Sequence, residues 1–302
     1  MQLDRTEIVV RARSGLELFD LSLRVLKRHL GAIALTSALF GLPLLLLDLW
    51  TVNWRLGEQG LNTAARYDQP TSTLGWRHAL HMILLFSMQF PLISLPTTIF
   101  LGSRIFYQPL PLKELLRRLW TLAPRWLLVL GVFRWGLVVV ALEWMIDRNA
   151  DLDWLTEFFL IFVVSCVILF ARALYPFAPE ILGLELCPLR AQQAGQITYG
   201  SRRRGLHRYL TSENFARFIA TLFYGVLLVS MLVGIQLFAI GASTGVWTWN
   251  YWMSTIGLPL SLWCVGLLLA VVRFLSYLDC RIRLECWELE LRIKAEAARL
   301  EQ

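Results

Sequence analysis

The sequence predicts an all-α polytopic integral membrane protein: six transmembrane helices, cytoplasmic interfacial amphipathic helices and a charged C-terminal helix. Three observations lead there. First, 57% of the 302 residues are hydrophobic and only 17% are charged, whereas about a quarter of an ordinary soluble domain is charged; the mean hydropathy is +0.55. Second, six stretches reach the roughly 20 apolar residues that cross about 30 Å of hydrocarbon. Third, basic residues gather in alternate connections, the pattern that orients a membrane protein. Nothing divides the chain, so residues 1–302 read as a single membrane domain.

The first element is an interfacial helix over 12–29, "SGLELFDLSLRVLKRHL". Ser14 with Glu17 forms a capping box. Leu16, Phe19, Leu23, Leu26 and Leu30 recur at spacings of three and four, with Asp20, Arg24, Lys27 and Arg28 opposite, so the helix lies in the interface under the bundle. The first apolar run begins near Leu30, behind this charged helix and without a small-residue cleavage pattern, so it reads as a retained span and not as a signal peptide.

The spans run at about 30–52, 79–101, 126–146, 154–174, 218–241 and 256–278. Lys plus Arg number six before span 1, five between spans 2 and 3, six between spans 4 and 5 counting Arg217, and five in the tail; the other connections hold three, one and none. This asymmetry places both termini in the cytoplasm. Trp247, Trp249, Tyr251 and Trp252 between spans 5 and 6 fit an aromatic belt. Glu143, Asp147, Asp151, Asp153 and Glu157 make the connection between spans 3 and 4 acidic, and read as a solvated outer turn.

A second amphipathic helix, "PLKELLRRLW", follows span 2, with Pro111 at its first position and Leu112, Leu115, Leu116, Leu119 and Trp120 as a buried stripe. "PLRAQQAGQITYG" after span 4 opens the same way on Pro188. The pair suggests that spans 2 and 3 and spans 4 and 5 are two copies of one unit, related about an axis along the membrane normal. Arg202, Arg203, Arg204 and Arg208, in an insertion of the second copy, are candidates for contact with anionic inner-leaflet lipid.

Intramembrane polar residues are the first candidates for function. Arg134 lies deep in span 3, and Gln89 and Gln236 could join it around a polar cavity. Glu143, Glu157, Arg172 and Arg273 lie nearer span ends, where structural roles are expected. His78 and His81 share a helix face, but two ligands without a third are no zinc site. The five cysteines (Cys166, Cys187, Cys264, Cys280, Cys286) form no CxxC pair and no disulfide framework. The net charge of +7 is spread over flanks of spans, not gathered into a nucleic-acid surface. No nucleophile elbow, phosphate loop, HExxH helix or nucleotide fingerprint is present, so no enzyme and no cofactor are expected.

After span 6 the tail reads "YLDCRIRLECWELELRIKAEAARL". Leu275, Leu278, Ile282, Cys286, Leu289, Ile293, Ala297 and Leu300 form a seam that continues out of the span, which predicts one unbroken helix. Asp279 with Arg283, Arg281 with Glu285, Glu288 with Arg292 and Glu290 with Lys294 are i,i+4 pairs, each contributing a few tenths of a kcal/mol. Ile282, Cys286, Leu289 and Ile293 are the candidate partner seam, to be covered by the chain's own cytoplasmic helices or by another protein.

"RARSGLELFDLSLRVLKRHLG", the Pro-Leu-basic segment after span 4 and "LDCRIRLECWELEL" together resemble the membrane domain attached to some bacterial glycerophosphodiester phosphodiesterases, and the stand-alone six-helix proteins of that kind. Their tail resembles Asp-Leu-Arg-x-Arg-x-Glu-Gly-x-Asp-Leu-Glu-Leu. Asp279, Arg281, Arg283, Glu285, Glu290 and Leu291 match it, while Cys280 replaces Leu, Cys286 replaces Gly and Glu288 replaces Asp. The resemblance implies a helical membrane module without the hydrolase barrel. The expected function is a non-enzymatic scaffold or accessory subunit, its partners membrane lipids and an unidentified protein. The alternative is a transporter or lipid-handling permease working with a separate soluble motor. A scaffold predicts a dry, leucine-packed bundle; a permease predicts a cavity lined by Arg134, Gln89 or Gln236.

Overall fold

The computed structural model describes residues 11–52, 72–106, 110–148, 153–191, 193, 195–208, 210–245 and 247–287. These form helices α1 (Gly15–Val52), α2 (Ser72–Ile105) and α3 (Leu112–Trp126), then a π-helical segment (Leu127–Gly136) leading into α4 (Leu137–Arg148). There follow α5 (Trp154–Leu174), α6 (Ala178–Gly183), α7 (Tyr199–Arg208), α8 (Thr211–Thr244), and a π-helical turn (Met253–Gly257) that opens α9 (Leu258–Leu284). Five helices among the described residues are long and apolar enough to cross a membrane. A sixth span exists if Lys113–Val132 and Leu137–Ile146, bent by 56°, count as one. The chain is an all-α, multi-pass membrane protein.

Polarity sorts the helices. α2 is the least apolar of the five and carries Ser87, Gln89, Ser94, Thr97 and Thr98; such groups cannot be left unsatisfied in hydrocarbon. They turn inward, where Ser94 donates to the Pro91 carbonyl and Thr98 to that of Ser94. In the most apolar 18-residue window of each helix, 72% of residues are buried in α2 and in α9, against 6% in α8. α2 and α9 are thus the axis of the bundle, with α1, α5 and α8 around it. α1 is held to α9 where Trp263 donates its indole N–H to Ser37 Oγ at 2.7 Å, with Gly41 beneath the same ring.

Both termini of the bundle lie at one end. The Arg13 N–H donates to Asp279 Oδ1 at 2.8 Å, and Arg283 donates to the Arg13 carbonyl at 2.6 Å. This is called the terminal end below, and the other the far end.

Several expectations are corrected by packing. The interfacial helix and span 1 are one helix, kinked at His29 (φ −117°, ψ 17°), the predicted boundary. Its buried line is Leu18, Ser22 and Val25, while Leu16, Leu23 and Leu30 of the predicted stripe are exposed; the broad apolar face is left for lipid and a narrower line meets the bundle. On α3, Leu115 and Leu119 are buried, but Leu116 and Trp120 are exposed. The bend after α3 falls past Val132, inside the predicted span, at a π-helical segment ending on Gly136, where a Cβ would clash with the Gly131 carbonyl. No helix begins at Pro188: the described residues among 184–198 are irregular, turned by Gly195 at φ +84° and closed by Tyr199 N–H on the Pro188 carbonyl. The two-copy relation therefore loses its second amphipathic helix.

The tail is not one unbroken helix. α9 ends at Leu284, and Cys286 takes φ +52°. That left-handed conformation suits glycine, the residue of the resembled pattern at this place. Ile282 is buried and Cys286 exposed, so these two seam positions do not share a surface; Leu289, Ile293 and the two outer ion pairs lie outside the described residues.

Candidate functional site

A cavity of about 300 Å³ lies between α2, α5, α8 and α9, at the small end of the roughly 300–1,000 Å³ typical of ligand sites. One wall is a stripe on α8 at spacings of three and four: Asn214, Arg217, Thr221, Gly225, Val229 and their neighbours to Ser230. At 1.5 Å per residue the stripe spans about 24 Å, longer than one leaflet of a roughly 30 Å hydrocarbon core. Gly225 lets α8 close on α9, because a Cβ there would stand 2.9 Å from Leu269 Cδ1.

The lining changes along its length. Toward the far end it is Ile83, Phe86, Val229, Leu262 and Val265; toward the terminal end Arg172, Arg217, Arg273, Asn214 and Ser276 enter. Each arginine is fixed. Arg172 Nη2 donates to the Met88 carbonyl at 2.7 Å. Arg273 gives Nε to Glu180 at 2.8 Å and Nη2 to Ser94 at 2.9 Å. Arg217 is paired with Glu213 at 2.6 Å and Asp279 at 2.8 Å. Glu180, Glu213 and Asp279 do not line the cavity; they hold the Arg273 and Arg217 guanidiniums from behind.

Beyond this rim, charge stitches the terminal end. Arg202 pairs with Glu185 and Glu285, Arg281 with Glu285 at 2.7 Å, and Tyr277 donates to Glu185 at 2.5 Å. The hydrogen bond to Glu185 leads the effects that raise the Arg202 pKa. Burial pushes the Glu285 carboxyl up, but hydrogen bonds from Arg281 and Arg202 outweigh it and leave it below its ordinary 4.5. The predicted pairs Asp279 with Arg283 and Arg281 with Glu285 both form.

A second cluster sits at the far end, where α2, α4 and α5 meet. His81 is fully buried, with Nδ1 2.8 Å from both Glu143 carboxylate oxygens and Nε2 2.6 Å from Glu157, which also pairs with Arg77. Glu143 and Glu157 are therefore not a solvated turn but pair inside the bundle, whereas Asp153 is exposed and caps α5 through the Thr156 N–H. The two carboxylates stand on opposite sides of the ring and so do not converge; no group of three or more His, Cys, Asp or Glu among the described residues could hold a metal ion.

The other sequence candidates disperse. Gln89 donates to Asp48 at 2.5 Å and Gln236 to Ser261 at 3.2 Å, and neither lines the cavity. Arg134 stands on the π-helical segment, its side chain outside the described residues. Arg202 is in the ion network and Arg203 lies 4.2 Å over the Tyr175 ring, while Arg204 and Arg208 are exposed. The rim was missed: Arg172 and Arg273 were expected to be structural near span ends, and Arg217 was counted only among the basic residues that orient the chain. Its signal was the α8 stripe, polar at its start and built on small residues thereafter.

No family model, curated protein or solved structure matches this chain.

Proposed function

We propose that this chain is a lipid-handling protein of a bacterial inner membrane, its termini cytoplasmic, which takes one amphiphile from the bilayer into the cavity between α2, α5, α8 and α9. The observation that carries the reading is the shape of that cavity: elongated along the helices, apolar for most of its length and polar at one end, as an amphiphile is. α8, the least buried long helix, forms the wall nearest to lipid. A scaffold with a leucine-filled interior has no need of such a space. In this reading the resemblance to the membrane domain of glycerophosphodiester phosphodiesterases concerns the membrane module alone. Exposed Leu116 and Trp120 on α3, with Arg204 and Arg208, are the surface offered to anionic lipid or to a soluble motor.

The test is purification in mild detergent followed by mass spectrometry of the intact protein and its extracted lipid. The wild-type chain should retain one lipid per protein, and Val229→Phe, which fills the cavity, should retain none while unfolding at the same temperature or higher. Equal retention by both proteins, or by neither, would sink the reading.

A further inference from the structure

We propose that the cavity selects anionic lipids whose headgroup is a phosphate with no cation attached to it, bound by Arg172, Arg217 and Arg273. The inference rests on the lipid-handling reading and names its ligand class. Three guanidiniums from three helices line one end of an otherwise apolar space, with the Asn214 amide and Ser276 hydroxyl beside them. A guanidinium has five N–H donors in a planar fork. Arg273 uses donors on Glu180 and Ser94, and Arg217 on Glu213 and Asp279. Each keeps further N–H groups on a side chain that lines the cavity.

The carboxylates paired with Arg217 and Arg273 stand outside the lining, so they fix those two forks in position without occupying the space in front. Forks held in this way suit an oxyanion, because bidentate Arg contacts to phosphate and carboxylate are stronger than neutral hydrogen bonds. Guanidiniums of α8 and α9 that both line this end, with Arg172 of α5 beside them, offer an oxyanion partners on more than one side, which the three or four oxygens of a phosphate use better than the two of a carboxylate. The position of the rim fixes the orientation: headgroup toward the terminal end, acyl chain along the α8 stripe toward Val229 and Leu262. A zwitterionic headgroup would bring its own cation to a rim already cationic, which is the basis of discrimination.

The experiment uses the full chain in nanodiscs of phosphatidylcholine, with phosphatidic acid, additional phosphatidylcholine or a free fatty acid of equal chain length as competitors against a fluorescent lipid. Phosphatidic acid should compete about tenfold more strongly than phosphatidylcholine, the scale of one charged hydrogen-bonded contact. Arg217→Gln and Arg172→Gln should each bring the two lipids close to equal. Val229→Phe should abolish binding of all three, which general attraction of an anion to a basic protein would survive. Equal competition by phosphatidic acid and phosphatidylcholine on the wild-type chain would overturn the selection for an anionic phosphate headgroup and leave lipid handling standing. Preference for the fatty acid would replace phosphate by carboxylate. Preference for phosphatidic acid that persists in both folded arginine variants would remove the rim from the site, and failure of every lipid to bind the wild-type chain would remove the lipid-handling reading itself.

Discussion

Two clusters of buried charge stand at opposite ends of α5, at Glu157 and at Arg172, fifteen residues and about 22 Å apart. They are built differently. At the far end, His81 is gripped between two carboxylates, with Arg77 on the second. At the terminal end, carboxylates hold Arg217 and Arg273 and the Met88 carbonyl holds Arg172, and the three arginines line a cavity. Buried charge in a membrane bundle often signals function, but the pair of clusters teaches a finer rule. Charge whose donors are consumed by its neighbours fastens helices; charge that keeps donors toward open space can hold a ligand.

The comparison is most open to attack at the fastener. Glu157→Ala leaves His81 and Arg77 beside a hole, and removing one member of a buried pair costs about 3–5 kcal/mol. Denaturation in detergent should show that loss while the surviving folded protein keeps its lipid preference. If lipid preference vanished with stability, the two clusters would be one functional unit.

Arg217→Gln should show the opposite balance. Arg283 remains on Glu213 at 3.0 Å and Asp279 at 3.1 Å, so the stability lost should be about 1–2 kcal/mol, well below that of Glu157→Ala in the same assay. A larger loss would make the arginine a structural fastener too.

Acid sharpens the contrast within the terminal end. Glu285 has its carboxyl pKa lowered in the folded chain, so its contribution is present above the unfolded value and is lost as pH falls below about 4.5. Glu285→Gln should flatten stability against pH in that window, and an unchanged profile would remove the residue from the acid response. The smallest effect is expected at Cys286→Gly, where relief of left-handed strain, less the entropy glycine adds to the unfolded chain, should stabilise by about 0.5–1 kcal/mol. A decrease in melting temperature would show that φ +52° is not strained there.

Much of this architecture was legible before any coordinates. The kink at His29, the limits Trp154–Leu174 and the terminal pairs Asp279 with Arg283 and Arg281 with Glu285 follow from local pattern. The break at Cys286 was not legible: the apolar seam predicted an unbroken helix, because periodicity does not report the left-handed residue at which the chain turns. The solvated reading of Glu143 and Glu157 failed because their proximity to His81 is invisible in a linear count: the partners lie 62 and 76 residues away. Asp48, inside an apolar run, is equally silent in the sequence, because its partner Gln89 lies 41 residues away on another helix.

What the sequence determined by itself is therefore one-dimensional: membrane class, the number of spans, their approximate ends, and contacts between residues one helical turn apart. These depend on apolar length and on the 3.6-residue period, both local properties. Tertiary structure decided which helices form the axis, which charges fasten and which are held toward a space, and that a cavity exists at all. Those outcomes depend on the rotation and depth of each helix against its neighbours. Packing across the whole bundle settles both, because no helix can bury its polar face without the faces of the others.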